Sequence, residues 1–243
     1  MTKQLLTIFT IAIFGLYSCK SIKVTDLRPQ NPISNLLPSL EPQIDIGSFQ
    51  TAYSLGTTKS SGGAVGYGTQ GLGGVIGTAT YFGQSTAVAD KRIQDAIVLY
   101  EREIRENITA GTNKPIGYAV CRITTGETRM GGWGWYTLSI LTLTVPNWFG
   151  MPFLAYKTEL ELEVEIKDCN NSTVGRYQGY GFKRVPVAAW HGYGGGGSWH
   201  VTGNEAAARK SNIDAVKMAM GEIKEKISKD SERLKRELVD CKK

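Results

Sequence analysis

The sequence predicts an α+β fold, in which a mainly antiparallel sheet of three to four strands carries two amphipathic helices on one face, behind a Pro-rich N-terminal tether. Three observations predict this class. Apolar residues recur at helical spacing after Asp90, apolar residues alternate with glutamates in the middle of the chain, and a second helical stripe follows. The order is helix, strands and a long final helix, and we expect both helices to pack on one face of the sheet in a two-layer sandwich.

The N-terminus has the features of an export signal. Lys3 supplies a positive charge, and the apolar run LLTIFTIAIFGLY follows it without a charged residue. The run ends at residues 16–19, Leu-Tyr-Ser-Cys, which resembles the lipobox of bacterial lipoproteins. The resemblance implies that residues 1–18 are a signal peptide. It also implies a diacylglycerol on the thiol of Cys19 and a further acyl chain, such as palmitate, on its new amine.

Lipidation at Cys19 would hold the protein on a membrane without a transmembrane helix, because several acyl chains anchor stably where one alone is marginal. Lys20 occupies the position at which an aspartate would resemble an inner-membrane retention signal, and the first acidic residue after the cysteine is Asp26. The resemblance therefore implies an outer-membrane lipoprotein that faces the periplasm.

Residues 19–48 are predicted to be the lipid anchor and a tether. Their prolines are too closely spaced for a helix or a central strand. A flexible coil of that length reaches roughly 30 Å end to end, so we expect the tether to hold the domain away from the lipid surface. The prolines are Pro29, Pro32, Pro38 and Pro42.

Residues 49–89 form a Gly-rich region that we predict to be flexible, because glycine weakens both helices and strands. The region carries no charge after Lys59. An alternative is a glycine zipper, in which small residues four positions apart let membrane helices approach each other. The glycines with that spacing are Gly62, Gly66, Gly73 and Gly77.

Residues 90–230 are predicted to form the α+β domain. Its first helix begins at Asp90, a favourable N-cap, and ends near Gly111. The strand pattern then appears over residues 116–124. The apolar stripe of the helix consists of Ile93, Ile97, Tyr100, Ile104 and Ile108.

Residues 131–156 carry no charge at all, and their number alone would suggest a membrane span. Prolines and glycine interrupt the stretch, while its threonines and β-branched residues favour a core strand over 135–145. An apolar loop follows, which packs over the sheet or, if exposed, marks a partner or membrane site. Its candidate contact residues are Trp148, Phe149 and Met151.

Residues 158–168, TELELEVEIKD, give the clearest strand pattern in the chain. CNNST supplies turn residues, and VGRYQGYGFKRV returns as the second arm of a hairpin. We expect the glutamates on one face to pair with basic residues across the hairpin rather than to bind a metal. Those basic residues are Arg176, Lys183 and Arg184.

The last predicted element is a helix that lies on the sheet, followed by a charged C-terminal tail over residues 231–243. The buried stripe of this helix is predicted to consist of Ile213, Val216, Met220, Ile223 and Ile227.

The cysteine content limits the disulfides. With Cys19 lipidated, three cysteines remain in an oxidising compartment, which allows at most one internal bridge. The formal net charge of +6 is made of interspersed positive and negative residues, so it does not favour nucleic acid as a partner. The remaining cysteines are Cys121, Cys169 and Cys241.

The glycine run HGYGGGG over residues 191–197 matches G-x-G-x-x-G, but it lacks the second parallel strand of a nucleotide-binding unit. Two histidines flank the run, and a metal would need further ligands from elsewhere. Aromatic side chains beside glycines suit a recognition surface. The candidate contact residues here are Trp190, His191, Tyr193, Trp199 and His200.

The lipobox, VPNWFGMP, KTELELEVEI and the final helix together resemble uncharacterised bacterial outer-membrane lipoproteins, over most of residues 90–230. The resemblance implies no reaction, and neither a catalytic motif nor a cofactor is predicted. We expect a non-enzymatic, lipid-anchored envelope protein that binds a protein or cell-wall partner in the periplasm. Two alternatives remain: a self-assembling outer-membrane or secretion component that inserts its uncharged segments, and a metal- or ligand-binding protein that uses His191 and His200.

Overall fold

The fold is α+β, which confirms the predicted class: the described residues form three helices and one open mixed sheet of four long strands. Two strands of two residues each, Ser18–Cys19 and His191–Gly192, extend one edge of this sheet. The computed structural model describes residues 18–19, 22, 24–29, 32–55, 91–110, 114–131, 138, 141–142, 152, 154–188, 191–192 and 205–240. The strands are β1 (Leu40–Ile44), β2 (Gly117–Gly131), β3 (Leu154–Lys167) and β4 (Thr173–Val187). The helices are α1 (Ile46–Leu55), α2 (residues 91–108) and α3 (Glu205–Asp240).

The sheet is mixed rather than mainly antiparallel. Strands β2, β3 and β4 are antiparallel neighbours, whereas β1 runs parallel to β2 at the edge. The sequence did not reveal β1 because Pro42 lies at its centre. An edge strand tolerates a proline, since the missing N–H would face away from the sheet.

Helix α1 is a third helix that was predicted as part of the flexible region. Phe49, Ala52 and Tyr53 recur at helical spacing and are buried in the core. Asp45 caps the helix, because its Oδ1 accepts from the Ser48 N–H at 3.3 Å. The prediction of flexibility over 49–89 is therefore wrong for its first residues, and residues 56–90 lie outside the described part.

Helix α2 confirms the helix predicted after Asp90. Residues 91–102 are α-helical and continue into the π-helical turn Glu103–Ile108. Its buried face is broader than the predicted stripe, because Arg92, Asp95 and Glu103 are buried beside the apolar residues.

Helix α3 continues to Asp240, so the predicted charged tail is helical over residues 231–240. Ser231, Leu234 and Leu238 are buried and extend the apolar stripe by two further turns.

The residues predicted as a free tether are packed against the fold. We call the described residues of this segment, 22, 24–29 and 32–37, the strap. The strap crosses the helices, where the Ile33 N–H donates to Asn107 O at 2.9 Å and the Leu37 N–H to Ile108 O at 2.8 Å. The Leu37 side chain is fully buried. Proline excludes a helix and a central strand but not extended packing, which is why the spacing of prolines was misleading.

The hairpin of β3 and β4 is confirmed, and α3 packs closely on it. Asn171 turns the chain with a positive φ of 63°, which asparagine tolerates well. The Asp168 side chain accepts from the Asn170 and Ser172 N–H groups at 2.9 and 2.8 Å. Glycines 179 and 181 face the backbone of α3, where a side chain would overlap it.

The predicted core strand over 135–145 is wrong at the positions that are described. Leu138 and Leu141 are helical, and the Thr142 N–H donates to Leu138 O at 3.0 Å. The two leucines are 43% and 75% exposed, so they do not belong to the core. The β-branched composition favoured a strand, but strand propensity depends on a neighbouring strand with which to pair.

The structure gives the bonding state of two cysteines. Cys169 is disulfide-bonded, and Cys121 is a free thiol in the core. Burial raises the pKa of the Cys121 thiol well above its usual range, so it is an inert packing residue.

Candidate functional site: the loop end of the domain

Three strand termini meet at one end of the sheet, which we call the loop end. Gly131 near the end of β2 is in register with Ala155, and Ala155 with Pro186 of β4. The long connections over 132–153 and 188–204 therefore start and finish here. At the opposite end, β3 and β4 are joined by a tight turn.

A chain of hydroxyl groups ties α3 to the sheet near the loop end. Thr128 of β2 bonds to Thr158 of β3 at 3.1 Å, and Thr158 bonds to Ser211 at 2.8 Å. Thr158 and Ser211 are buried, and the Ser211 hydroxyl donates to Ala208 O at 2.9 Å, which completes the chain. The first turns of α3 are thereby fixed over the ends of β2 and β3.

A second cluster of polar side chains joins the three helices near their ends at the loop end. The Tyr53 hydroxyl near the end of α1 donates to Asn212 Oδ1 at 2.6 Å, and Asn212 Nδ2 donates to Arg92 O at 3.2 Å. The Arg92 guanidinium lies 5.3 Å from the centre of the Tyr53 ring. Burial raises the pKa of Tyr53, which keeps its hydroxyl protonated at neutral pH, and burial lowers the pKa of Arg92.

An ion pair also connects α2 to α3 near the loop end. Arg209 of α3 makes two hydrogen bonds to Asp95 of α2, at 2.7 and 2.8 Å. The hydrogen bond to Asp95 raises the pKa of Arg209. The connection over 56–90 leaves α1 and enters α2 beside these groups, so the termini of all three long connections are held rigidly together.

Cys19 lies at the same end. Ser18–Cys19 pairs in parallel with His191–Gly192, and Gly192 pairs with Val187 at the end of β4. Two residues separate Cys19 from Ile22, which packs against the core. Nothing in the sequence pattern suggested that the predicted lipidation site would adjoin the sheet.

Two of the predicted site residues, Cys19 and His191, lie on neighbouring two-residue strands, where Cys19 is in register with Gly192 and His191 with Ser18. The other candidate contact residues lie outside the described part, although the segments that carry them begin and end at the loop end. They are Trp148, Phe149, Met151, Trp190, Tyr193, Trp199 and His200.

The glutamates of β3 are paired in part as predicted. Arg176 lies against Glu165 and 3.7 Å from Glu163. Lys183 instead reaches Asp214 of α3 at 3.9 Å. Within the described ranges, no group of three or more His, Cys, Asp or Glu side chains is arranged to hold a metal ion.

Arg184 departs from the predicted pairing because the register of the hairpin places it beside Lys157 rather than beside a glutamate. This register could not be read from the sequence, which gave the face of each residue but not its neighbour across the strand.

The chain matches no family model, no curated protein and no solved structure. The likeness to outer-membrane lipoproteins and the lipidation of Cys19 therefore remain predictions. Over the residues whose placement is described, no helix combines the length and apolar character needed to cross a bilayer.

Proposed function

We propose that this protein is a non-enzymatic, lipid-anchored protein of the cell envelope that turns its loop end toward the membrane and binds a protein partner there. One observation carries the proposal: Cys19 and the termini of all three long connections lie at the loop end. A lipid on Cys19 would hold that end at the bilayer.

The charge distribution supports this orientation. Residues 60–89, 132–153 and 188–204 contain no Asp, Glu, Lys or Arg, although such residues are common elsewhere in the chain. Exposed leucines at positions 138 and 141 add an apolar surface to one of these segments. Uncharged and apolar segments suit contact with lipid or with a membrane-bound protein.

The strap supports a short distance between the domain and the membrane. Asp26 of the strap bonds to Lys210 of α3 at 2.8 Å, and Leu27 O accepts from Arg102. A docked strap leaves only residues 20 and 21 between the anchor and the fold. This geometry favours a protein partner in or on the membrane over a distant cell-wall polymer.

The second candidate is a self-assembling outer-membrane or secretion component. The same observation favours it, because uncharged segments that emerge beside the anchor could enter the bilayer from several copies at once. The outer-membrane address in both cases rests on Lys20 in the lipobox-like sequence.

In-cell photo-crosslinking tests the proposal. A crosslinking amino acid in place of exposed Leu141 reports on the loop end, and one in place of exposed Thr173 reports on the opposite end. We expect a reproducible heterologous envelope protein from position 141 and little from position 173. Equal products from both positions, or none from 141, would contradict the proposal.

Two further results separate the candidates. A ladder of self-multiples from position 141 would favour assembly. Alkaline extraction of a Cys19→Ala variant distinguishes anchoring by lipid alone, which predicts release, from insertion of the uncharged segments, which predicts retention.

A further inference from the structure

Three basic residues lie side by side near the loop end, on the face of the sheet opposite the helices. Arg129 of β2 is in register with Lys157 of β3, and Lys157 with Arg184 of β4. All three are exposed, while Thr158 and Val185 beside them are buried on the helix face. We call Arg129, Lys157 and Arg184 the basic row.

Pairing across the strands disfavours the basic row. Like charges directly opposite each other on neighbouring strands repel. Arg129 has Glu127 as a partner, but neither Lys157 nor Arg184 makes an ion pair with any residue in the described part.

On this face of the sheet, the sign of the charged residues changes along the strands from the tight turn to the loop end. Near the tight turn that joins β3 and β4, opposite charges face each other, as with Glu165 and Arg176. Glu127 and Glu159 lie next to each other in the row below the basic row. Closer to the loop end, the row formed by Gly131, Ala155 and Pro186 is uncharged. Positive charge is thus the last charge before the uncharged connections.

We propose that the basic row binds the anionic phospholipid headgroups of the membrane that carries the Cys19 lipid, an inference that rests on the proposed function. Long basic side chains at a membrane surface extend their charge to the headgroups while their stems lie on apolar surface. The row lies two to three residues from the strand ends, which places it about 10 Å from the end of the sheet. Lipid phosphates pair with Lys157 and Arg184, for which the described part of the chain supplies no ion-pair partner.

Quenching by labelled headgroups tests this inference on the full-length lipidated protein. A fluorescent amino acid replaces exposed Phe182, in the row below the basic row, or exposed Thr173, about 30 Å away on the same strand. The protein is reconstituted in vesicles of phosphatidylethanolamine and phosphatidylglycerol, or in zwitterionic vesicles, both with a headgroup quencher. We expect strong quenching at 182 in anionic vesicles, weaker quenching in zwitterionic vesicles, and little at 173.

Charge variants identify the residues responsible. Lys157→Gln with Arg184→Gln is expected to reduce the quenching at 182 in anionic vesicles to its zwitterionic level, since each basic residue favours the surface-bound orientation about fivefold. Raising the salt concentration should have the same effect. The matched control is Arg105→Gln with Lys114→Gln, two exposed cations away from the loop end, which removes the same charge and should change nothing. Circular dichroism verifies that both double variants fold.

The outcomes separate this inference from the proposed function. Equal quenching at 182 in both lipids, insensitive to salt and to both double variants, would overturn the role of the basic row and leave the orientation intact. Quenching at 173 that equals or exceeds that at 182 would overturn both. Binding to an anionic cell-wall polymer, without quenching in anionic vesicles, would also overturn the inference.

Discussion

Two glycines of β4 set the distance between the sheet and α3. A Cβ built on Gly181 would overlap the backbone oxygen of Ala215, and one on Gly179 that of Ala219. Neither obstacle is a flexible side chain, so the helix itself would have to move. The glycines in the second hairpin arm are therefore packing residues rather than signs of flexibility.

We expect Gly181→Ala to lower the free energy of unfolding by about 3 kcal/mol, at the upper end of the usual range for overpacking. Urea denaturation followed by circular dichroism measures it. Gly131→Ala is the matched control, because a Cβ there meets nothing within 4 Å. Equal stability of the two variants would show that α3 does not lie this close to β4.

A buried ion pair joins α2 to α3 at the π-helical turn. Lys224 Nζ lies 2.8 Å from Glu103 Oε2, which also accepts from Asn107 Nδ2 at 2.7 Å. The side chains of Lys224 and Glu103 are 6% and 0% exposed. Charged groups so deeply buried depend on each other, because neither can be solvated by water.

Lys224→Met should lower the free energy of unfolding by about 3–5 kcal/mol, because it leaves the Glu103 carboxylate buried without its ammonium partner. Adding Glu103→Gln should recover part of that loss. Lys229→Met, which removes an exposed lysine paired with Glu225, should leave unfolding unchanged. A double variant no more stable than Lys224→Met would contradict this coupling.

At the scale of elements, α3 covers the free edge of β4 with its own side chains. Glu222 accepts from the Tyr180 N–H at 2.8 Å, and Lys226 donates to Gln178 O at 2.7 Å. Arg233 donates to Val174 O at 3.0 Å. Backbone groups that would otherwise pair with another chain are thereby occupied, which protects an exposed edge.

Glu222→Ala with Lys226→Ala should uncover this edge and promote association of β4 with other molecules. Sedimentation velocity over a range of concentrations is expected to show larger species than in the wild type. Glu225→Ala with Lys229→Ala removes an i,i+4 pair three positions further along α3, whose two side chains bond to each other, and it should sediment like the wild type. Identical profiles for the two variants would refute the protective role.

An element could be predicted when the residues that specify it are close together in sequence, and could not when it depends on distant parts of the chain. The β3–β4 hairpin was predictable because its alternation and its turn are local. Strand β1 was not, since it depends on pairing with β2, far along the chain, and contains Pro42. Helix α1 was obscured by the glycines that follow it, although Phe49, Ala52 and Tyr53 carry a helical spacing.

At the scale of the whole molecule, the sequence identified the uncharged segments and Cys19 separately but not their common location. That location depends on the topology, which brings the ends of three connections to one end of the domain. The basic row depends on strand register, a property that no local pattern encodes. The strap likewise joins residues distant in sequence, such as Asp26 and Lys210.

The central claim is that the docked strap holds the loop end directly against the membrane. Neutron reflectometry of the mature protein, lipidated at Cys19, on a supported bilayer measures the gap between the headgroups and the protein layer. A Gly-Ser insert of about 20 residues between Ser21 and Ile22 gives the control, which should open a hydrated gap of about 25 Å. We predict that the wild-type protein layer begins at the headgroups. A hydrated gap of about 30 Å in the wild type, as expected of a free tether, would contradict the account.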